Sequence, residues 1–391
     1  MRSRKFLVRA GATLAAAAAT VTAVTVGVQD REATVASVGA KTEATTGARA
    51  GGVLKERVTR LQSEHRLPGV IGMARSGGST QYAASGYGDM FRRVPADPKA
   101  KFRIASNTKA FVATVLLQLE AEGKLSMNDT VDRWLPGLVA ANGNDGRKIT
   151  IRQLLNHTSG LPDYVDDLWI SGTYLADINP YRKWDPRALV KVATSRKSLS
   201  APGAKFNYAN TNYVLGGLII QAATGHRPAA EVRDRIIKPL GLTDTTFPEA
   251  DPKLYGNWLH GYFTVRDISF TNVQVFGAAG AMVSTQQDLA DFTRALASGR
   301  LLPPAQQREM QQVASPEQPY GLGVLMAKTP CGTAWSHNGA VLGYFSQWYT
   351  SPDGKDQVVV ATNRYNMIAG KAESAVVKTA QDSYCALRGK R

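Results

Sequence analysis

The chain has 391 residues, 43% of them hydrophobic and 20% charged, a balance that excludes a wholly disordered protein and a multi-span membrane protein and requires a buried core. Its formal net charge is +16, yet Lys and Arg form no long run and do not interleave with aromatics, so no nucleic-acid groove is indicated. No block repeats as a solenoid or propeller would require.

The N-terminus opens with Arg2, Arg4, Lys5 and Arg9 and continues as an apolar Ala/Val/Thr stretch from Ala10 to Val28. This order predicts a signal peptide over residues 1–30, hence a secreted, extracellular or cell-wall-associated protein. The Ser3-Arg4-Lys5-Phe6-Leu7 run lacks the consecutive arginine pair of a twin-arginine signal. An uncleaved anchor is the alternative; after cleavage no stable membrane insertion is expected. Residues 31–52, rich in Ala, Thr and Gly, are expected to be a flexible linker. A diffuse basic surface suits an anionic polymer such as a cell wall, or is simply solvated.

Residues 53–391 are expected to form one domain. Val53, Leu54, Val58 and Leu61 make a helical stripe ended by Leu67-Pro68-Gly69. Val70–Ala74 and Gln81–Gly86 flank Gly77-Gly78-Ser79 as an antiparallel hairpin. From about residue 106 to 245 the pattern is helical, punctuated by Leu135-Pro136-Gly137 and Ala201-Pro202-Gly203. Strand patterns return at Trp335 and His337, Tyr344–Tyr349 and Gln357–Thr362, and a helix covers 370–386. Strands at both ends with helices between them predict an α+β fold: an antiparallel sheet flanked by helices, with an inserted all-helical subdomain.

The two cysteines, Cys331 and Cys385, pair in an exported chain and would contribute roughly 4 kcal/mol in the chain-entropy model; otherwise they are two buried thiols. The five histidines show no H-x-x-x-H or H-E-x-x-H spacing, so no metal site is expected.

Ser106-Asn107-Thr108-Lys109 precedes an apolar helical run that includes Phe111, Val112, Val115, Leu116 and Leu119. Spacing i to i+3 puts Ser106 and Lys109 on one face. A lysine desolvated among apolar neighbours loses pKa and can accept the serine proton, which makes Ser106 a candidate nucleophile and Lys109 its base. The plainer alternative is a capping serine near a surface lysine. Tyr208 and Asn210, two apart before the next helix, are candidates for proton transfer, if nearby cations lower the Tyr208 pKa, and for holding a substrate carbonyl or Lys109. In Trp335-Ser336-His337-Asn338-Gly339-Ala340, Gly339 would let substrate lie along the strand, and His337 would carry charge or handle a proton. His337, Asn338, Gly339 and Ala340 are thus candidate substrate contacts. G-x-S-x-G is absent from the sequence, so the α/β-hydrolase alternative loses its main support.

S-x-x-K, Y-x-N and H-x-G in this order resemble the serine β-lactamase and penicillin-binding D-alanyl-D-alanine peptidase superfamily. Leu154-Leu155-Asn156-His157-Thr158-Ser159-Gly160-Leu161, Tyr320-Gly321-Leu322-Gly323 and Gly339-Ala340-Val341-Leu342-Gly343-Tyr344 are similar to its class C β-lactamase-like branch, over about residues 53–386. Among its members the chain is most similar to soluble, secreted D-alanyl-D-alanine carboxypeptidases. The resemblance implies a β-lactamase/transpeptidase-like fold and an acyl-enzyme on Ser106. It implies proton transfer by Lys109 and Tyr208, and an oxyanion hole from the N–H groups of Ser106 and Ala340. His157 and Ser159 would support the cleft. No cofactor is implied; substrates would be stem peptides of peptidoglycan, β-lactams or esters. The carboxypeptidases commonly carry an Arg on the strand after Tyr-Gly-Leu-Gly and a Thr after H-x-G, whereas this chain has Val324-Leu325-Met326 and Ala340. That departure raises an esterase or β-lactamase alternative, and an inactive penicillin-binding module is a third.

Overall fold

The computed structural model describes residues 39–177, 179–315, 317–366 and 370–389, and the side chains among these from residue 52 on. The segment expected as a signal peptide, 1–30, lies outside them.

Helix α1 (Gly39–Glu64) begins ahead of Val53, so from Gly39 onward the stretch expected as a flexible linker is helical. Its packed part, Leu54, Val58 and Leu61, anchors the helix, which continues upstream through a stretch rich in Ala, Gly and Thr. Strands β1 (Gly69–Ser76) and β2 (Ser79–Asp89) form the expected hairpin, with Ser76 opposite Ser79. A short β3 (Val94–Pro95) borders β2. Late in the chain come β4 (Leu325–Thr329), β5 (Gly332–Val341), β6 (Tyr344–Thr350) and β7 (Gln357–Thr362). All seven make one antiparallel sheet in the order β3-β2-β1-β7-β6-β5-β4. The first and last long strands are therefore neighbours, Val70 opposite Thr362 and Met73 opposite Val359.

Both faces of this sheet are covered, which is why β7 reads as an unbroken apolar run. Val358 and Val360 join Val70, Ala74, Leu54, Val58, Val376 and Tyr384 in one core, under α1 and the C-terminal helix Lys371–Leu387. Val359 and Ala361 join Ile71, Met73, Trp335 and Trp348 in the larger core on the other face. There α2 (Thr108–Ala121) meets the helix Gln286–Ala297 through stacked Phe111 and Phe292 rings, 3.6 Å apart at their centroids. The middle of the chain adds α3 (Ile151–Leu155) and α4 (Asn210–Thr224), with α4 packed on α2 and α3 packed on α4. Among the described residues, no helix is long and apolar enough to cross a membrane.

Cys331, in the turn between β4 and β5, is disulfide-bonded to Cys385 in the C-terminal helix.

Candidate active site

The chain enters the site along the short strand Phe102–Arg103, whose buried arginine donates to the carbonyls of Pro252 (2.6 Å) and Ser269 (2.8 Å). Ala105 then takes φ = 48°, a left-handed conformation that costs a non-glycine residue energy and that the surroundings must impose. Ser106 sits in the single 3-10 turn Ala105–Asn107 that leads into α2. Asn107 clamps this turn to the sheet: its Nδ2 donates to Ile104 O (2.8 Å) and Ser346 Oγ (3.0 Å), and its Oδ1 accepts from Trp348 Nε1 (3.0 Å).

Lys109 follows one turn on and is fully buried. Its Nζ lies 3.0 Å from Ser106 Oγ, 2.9 Å from Asn210 Oδ1 and 2.8 Å from Ala279 O. All three oxygens can accept from Lys109; once the amine is neutral, its two N–H bonds to Asn210 and Ala279 leave the lone pair for the serine hydroxyl. Burial holds the amine down at about 7, against a smaller upward pull from the Asp163 carboxylate.

Tyr208 stands close enough to Ser106 for the serine to offset part of the rise in its pKa, and Lys109 Nζ lies 4.8 Å from its ring centre. The expectation that cations lower the Tyr208 pKa fails. Burial dominates and pushes the phenol well above its ordinary value, with a further rise from the Asp163 charge. Tyr208 is thus a neutral hydroxyl that can donate and accept in turn.

His157 shapes the loop that carries Tyr208 and Asn210. Its carbonyl accepts from Asn207 N (2.7 Å) and its Nδ1 from Ala209 N (3.2 Å), while its ring lies 4.1 Å from the Tyr208 ring. Because a backbone N–H can only donate, Nδ1 is the acceptor and the ring proton is on Nε2. Ser159 Oγ donates to Asn212 Oδ1 at 2.6 Å. Gly160, at φ = 75°, lies where a Cβ would be 2.1 Å from Ser200 O.

Gly339 makes room for protein backbone. A Cβ there would lie 2.1 Å from Ile104 O and 2.7 Å from Asn107 Nδ2, so the missing side chain admits the nucleophile turn against β5. Strand β4 pairs with β5 only up to Ser336, opposite Leu325, which leaves the Asn338–Val341 stretch a local edge. Asn338 is exposed and Ala340 half-buried.

His337 turns inward and is buried. Its Nδ1 donates to Asn338 O (2.6 Å) and its Nε2 accepts from Tyr320 Oη (2.8 Å). Burial, with repulsion from Lys109, lowers its pKa to about 3. The expected cation is a neutral ring at ordinary pH.

Three contributors escaped the sequence: Asn107, the Ala279 carbonyl and Asp163. Asp163 Oδ2 accepts from Asn210 N (2.8 Å) and Asn210 Nδ2 (2.9 Å). It follows directly on Gly160-Leu161-Pro162, but no spacing ties it to Ser106.

The beta-lactamase family model matches residues 54–381. Penicillin-binding protein 4* of Bacillus subtilis is 27% identical over 347 residues, 82% of this chain and 73% of that protein. A D-stereospecific amidohydrolase structure from Streptomyces sp. is 36% identical with a TM-score of 0.77, covering 83% of this chain and 97% of that one. The D-amino acid amidase of Ochrobactrum anthropi SV3, complexed with L-phenylalanine amide, is 26% identical with a TM-score of 0.72, covering 88% and 97%. The chain belongs to the beta-lactamase family and has the fold of its serine hydrolases.

Proposed function

We propose that the protein is a secreted serine acyl hydrolase that works through an acyl-enzyme on Ser106 and prefers D-amino acid amides or esters over peptides ending in a free carboxylate. The observation that carries the chemistry is the Lys109 amine, held near neutrality 3.0 Å from Ser106 Oγ. Lys109 takes the hydroxyl proton as Oγ bonds to the substrate carbonyl carbon, and the carbonyl electron pair moves onto its oxygen. The N–H groups of Ser106 and Ala340 receive that oxyanion. Val341 and Tyr344 close a two-residue hairpin loop, and ladder alternation then turns the Ala340 N–H away from β6. Collapse expels the amine or alcohol, which takes the proton from Lys109 through the Tyr208 hydroxyl. Water then attacks the ester by the same route in reverse, releasing the acid and restoring Ser106.

The substrate preference rests on charge. A carboxylate entering the cleft needs a partner, since an unpaired buried anion costs several kcal/mol. Strand β4 offers Leu325 and Met326 where an arginine would stand, His337 is neutral and Ala340 has no hydroxyl. The names of the D-stereospecific amidohydrolase and D-amino acid amidase neighbours agree with this choice. Export agrees with the Cys331–Cys385 disulfide and the N-terminal sequence.

A second reading, a penicillin-reactive D-alanyl-D-alanine carboxypeptidase of cell-wall peptides, is favoured by the likeness to penicillin-binding protein 4*. Comparing kcat/KM for a D-alanyl-D-alanine peptide, its C-terminal amide and D-phenylalanine amide decides between them. The proposal expects the two amides to be at least as good as the free acid. A preference for the free acid of about a thousandfold, about 4 kcal/mol and so within the 2–5 kcal/mol scale of a buried charge pair, would establish the carboxypeptidase instead.

A further inference from the structure

We infer that Asp163 is a positioning residue of the acyl-transfer site, fixing the Asn210 amide in one orientation and placing a negative charge near Lys109. The inference rests on the acyl-enzyme reading above.

An asparagine amide has one acceptor and one donor end, and the two look alike in shape. Asp163 Oδ2 accepts from Asn210 Nδ2 at 2.9 Å and from Asn210 N at 2.8 Å. With its NH2 end held there, Asn210 can only turn Oδ1 toward Lys109, which donates to it at 2.9 Å. A flipped amide would set N–H against N–H and turn a lone pair toward the carboxylate. The buried carboxylate therefore sets, through one amide, where the Lys109 lone pair points: toward Ser106. A purely structural role is partly visible, since Asp163 Oδ1 accepts from Val165 N (3.2 Å) and caps the turn Tyr164–Asp166. That role leaves Oδ2 unexplained, and Oδ2 is directed wholly at Asn210.

The charge itself acts on Lys109. Around the amine stand Ser106 on its own segment, Tyr208 and Tyr213 from the loop and helix of α4, His157 after α3 and His337 on β5. The tyrosines are neutral because burial raises their pKa, and the histidines are neutral because burial lowers theirs. Asp163 in turn faces Lys109, Asp166, Tyr164 and Tyr208. Arg196 Nη1 reaches only the Asp163 carbonyl (3.3 Å) and the Asp166 carboxylate (3.2 Å). Asp163 is the anion that the Lys109 cation meets in the interior, so deleting its charge makes lysine protonation harder.

The test is the pH dependence of kcat/KM for p-nitrophenyl acetate in the full chain, with active sites counted by the p-nitrophenolate burst so that misfolded protein drops out. Asp163→Asn should move the acid limb down by about one pH unit, the low end for an opposite charge. Asp163→Glu keeps the charge but displaces the oxygens. It should leave the limb in place and lower the plateau kcat about tenfold or more, as misplacement of a reacting group does. An unmoved limb in Asp163→Asn, or the same downward shift in Asp163→Glu, would overturn the inference while leaving the acyl-enzyme reading intact. Undiminished turnover by Ser106→Ala would remove both.

Discussion

Gly339 and Ile104 touch backbone to backbone: a Cβ added to the glycine would lie 2.1 Å from the Ile104 carbonyl oxygen, far inside any real contact. The strand bearing Ala340 and the turn bearing Ser106 are thereby held at a fixed separation. Gly339→Ala should part them and lower kcat/KM about a hundredfold, the scale of a 1 Å misplacement. Kinetics of the purified variant, beside its circular dichroism, check this; unchanged turnover in a folded variant would contradict the geometry.

Lys109 should set the acid limb of activity. With its amine at about 7, the neutral base is lost as pH falls below that value, so kcat/KM for an ester should drop tenfold per unit there. Lys109→Arg places a group that stays protonated and should cost about a thousandfold in kcat, within the scale of removing a proton-transfer group. A flat profile between pH 5 and 8 would assign the base elsewhere.

His337 links stability to acid. Its folded pKa, about 3, lies below the ordinary 6.5, so its neutral form contributes stability that is full above about 6.5 and is lost as pH falls toward 3. Each unit in that window costs up to about 1.4 kcal/mol. Asp163, raised to about 6 by burial, has the opposite slope: its contribution is lost as pH rises through 6. His337→Gln removes only the first effect. Urea midpoints at pH 4 and 7 should show the wild type losing up to about 3 kcal/mol more than the variant over that range; equal losses would refute the linkage.

The disulfide between Cys331 and Cys385 should hold the β4–β5 turn to the C-terminal helix in the purified protein. Denatured, unreduced protein should show no titratable thiol, and Cys385→Ser should lower stability by about 4 kcal/mol, the chain-entropy value for a loop of this length. Two thiols per chain would contradict the bond.

Sequence periodicity was enough for the elements whose pattern is local. The β1–β2 hairpin, β6, β7 and the C-terminal helix fall where apolar alternation and turn residues put them. Ser106 and Lys109 were legible because i to i+3 adjacency follows from helix geometry alone. Asp163, Asn107 and Ala279 were not, because what gives them meaning is contact across long stretches of chain: Asp163 with Asn210, Asn107 with Trp348, Ala279 with Lys109. The neutrality of His337 and the raised pKa of Tyr208 come from burial, which a residue's type does not state. The early start of α1 shows the converse, a polar, Ala-rich stretch taking up helix next to a packed segment.

The central claim is that Ser106 becomes acylated. Intact mass after brief mixing with a penicillin or a D-phenylalanine p-nitrophenyl ester, followed by peptide mapping, should place one adduct on the peptide that contains Ser106, with none in Ser106→Ala. An adduct on a different residue, or undiminished turnover by Ser106→Ala, would contradict the account.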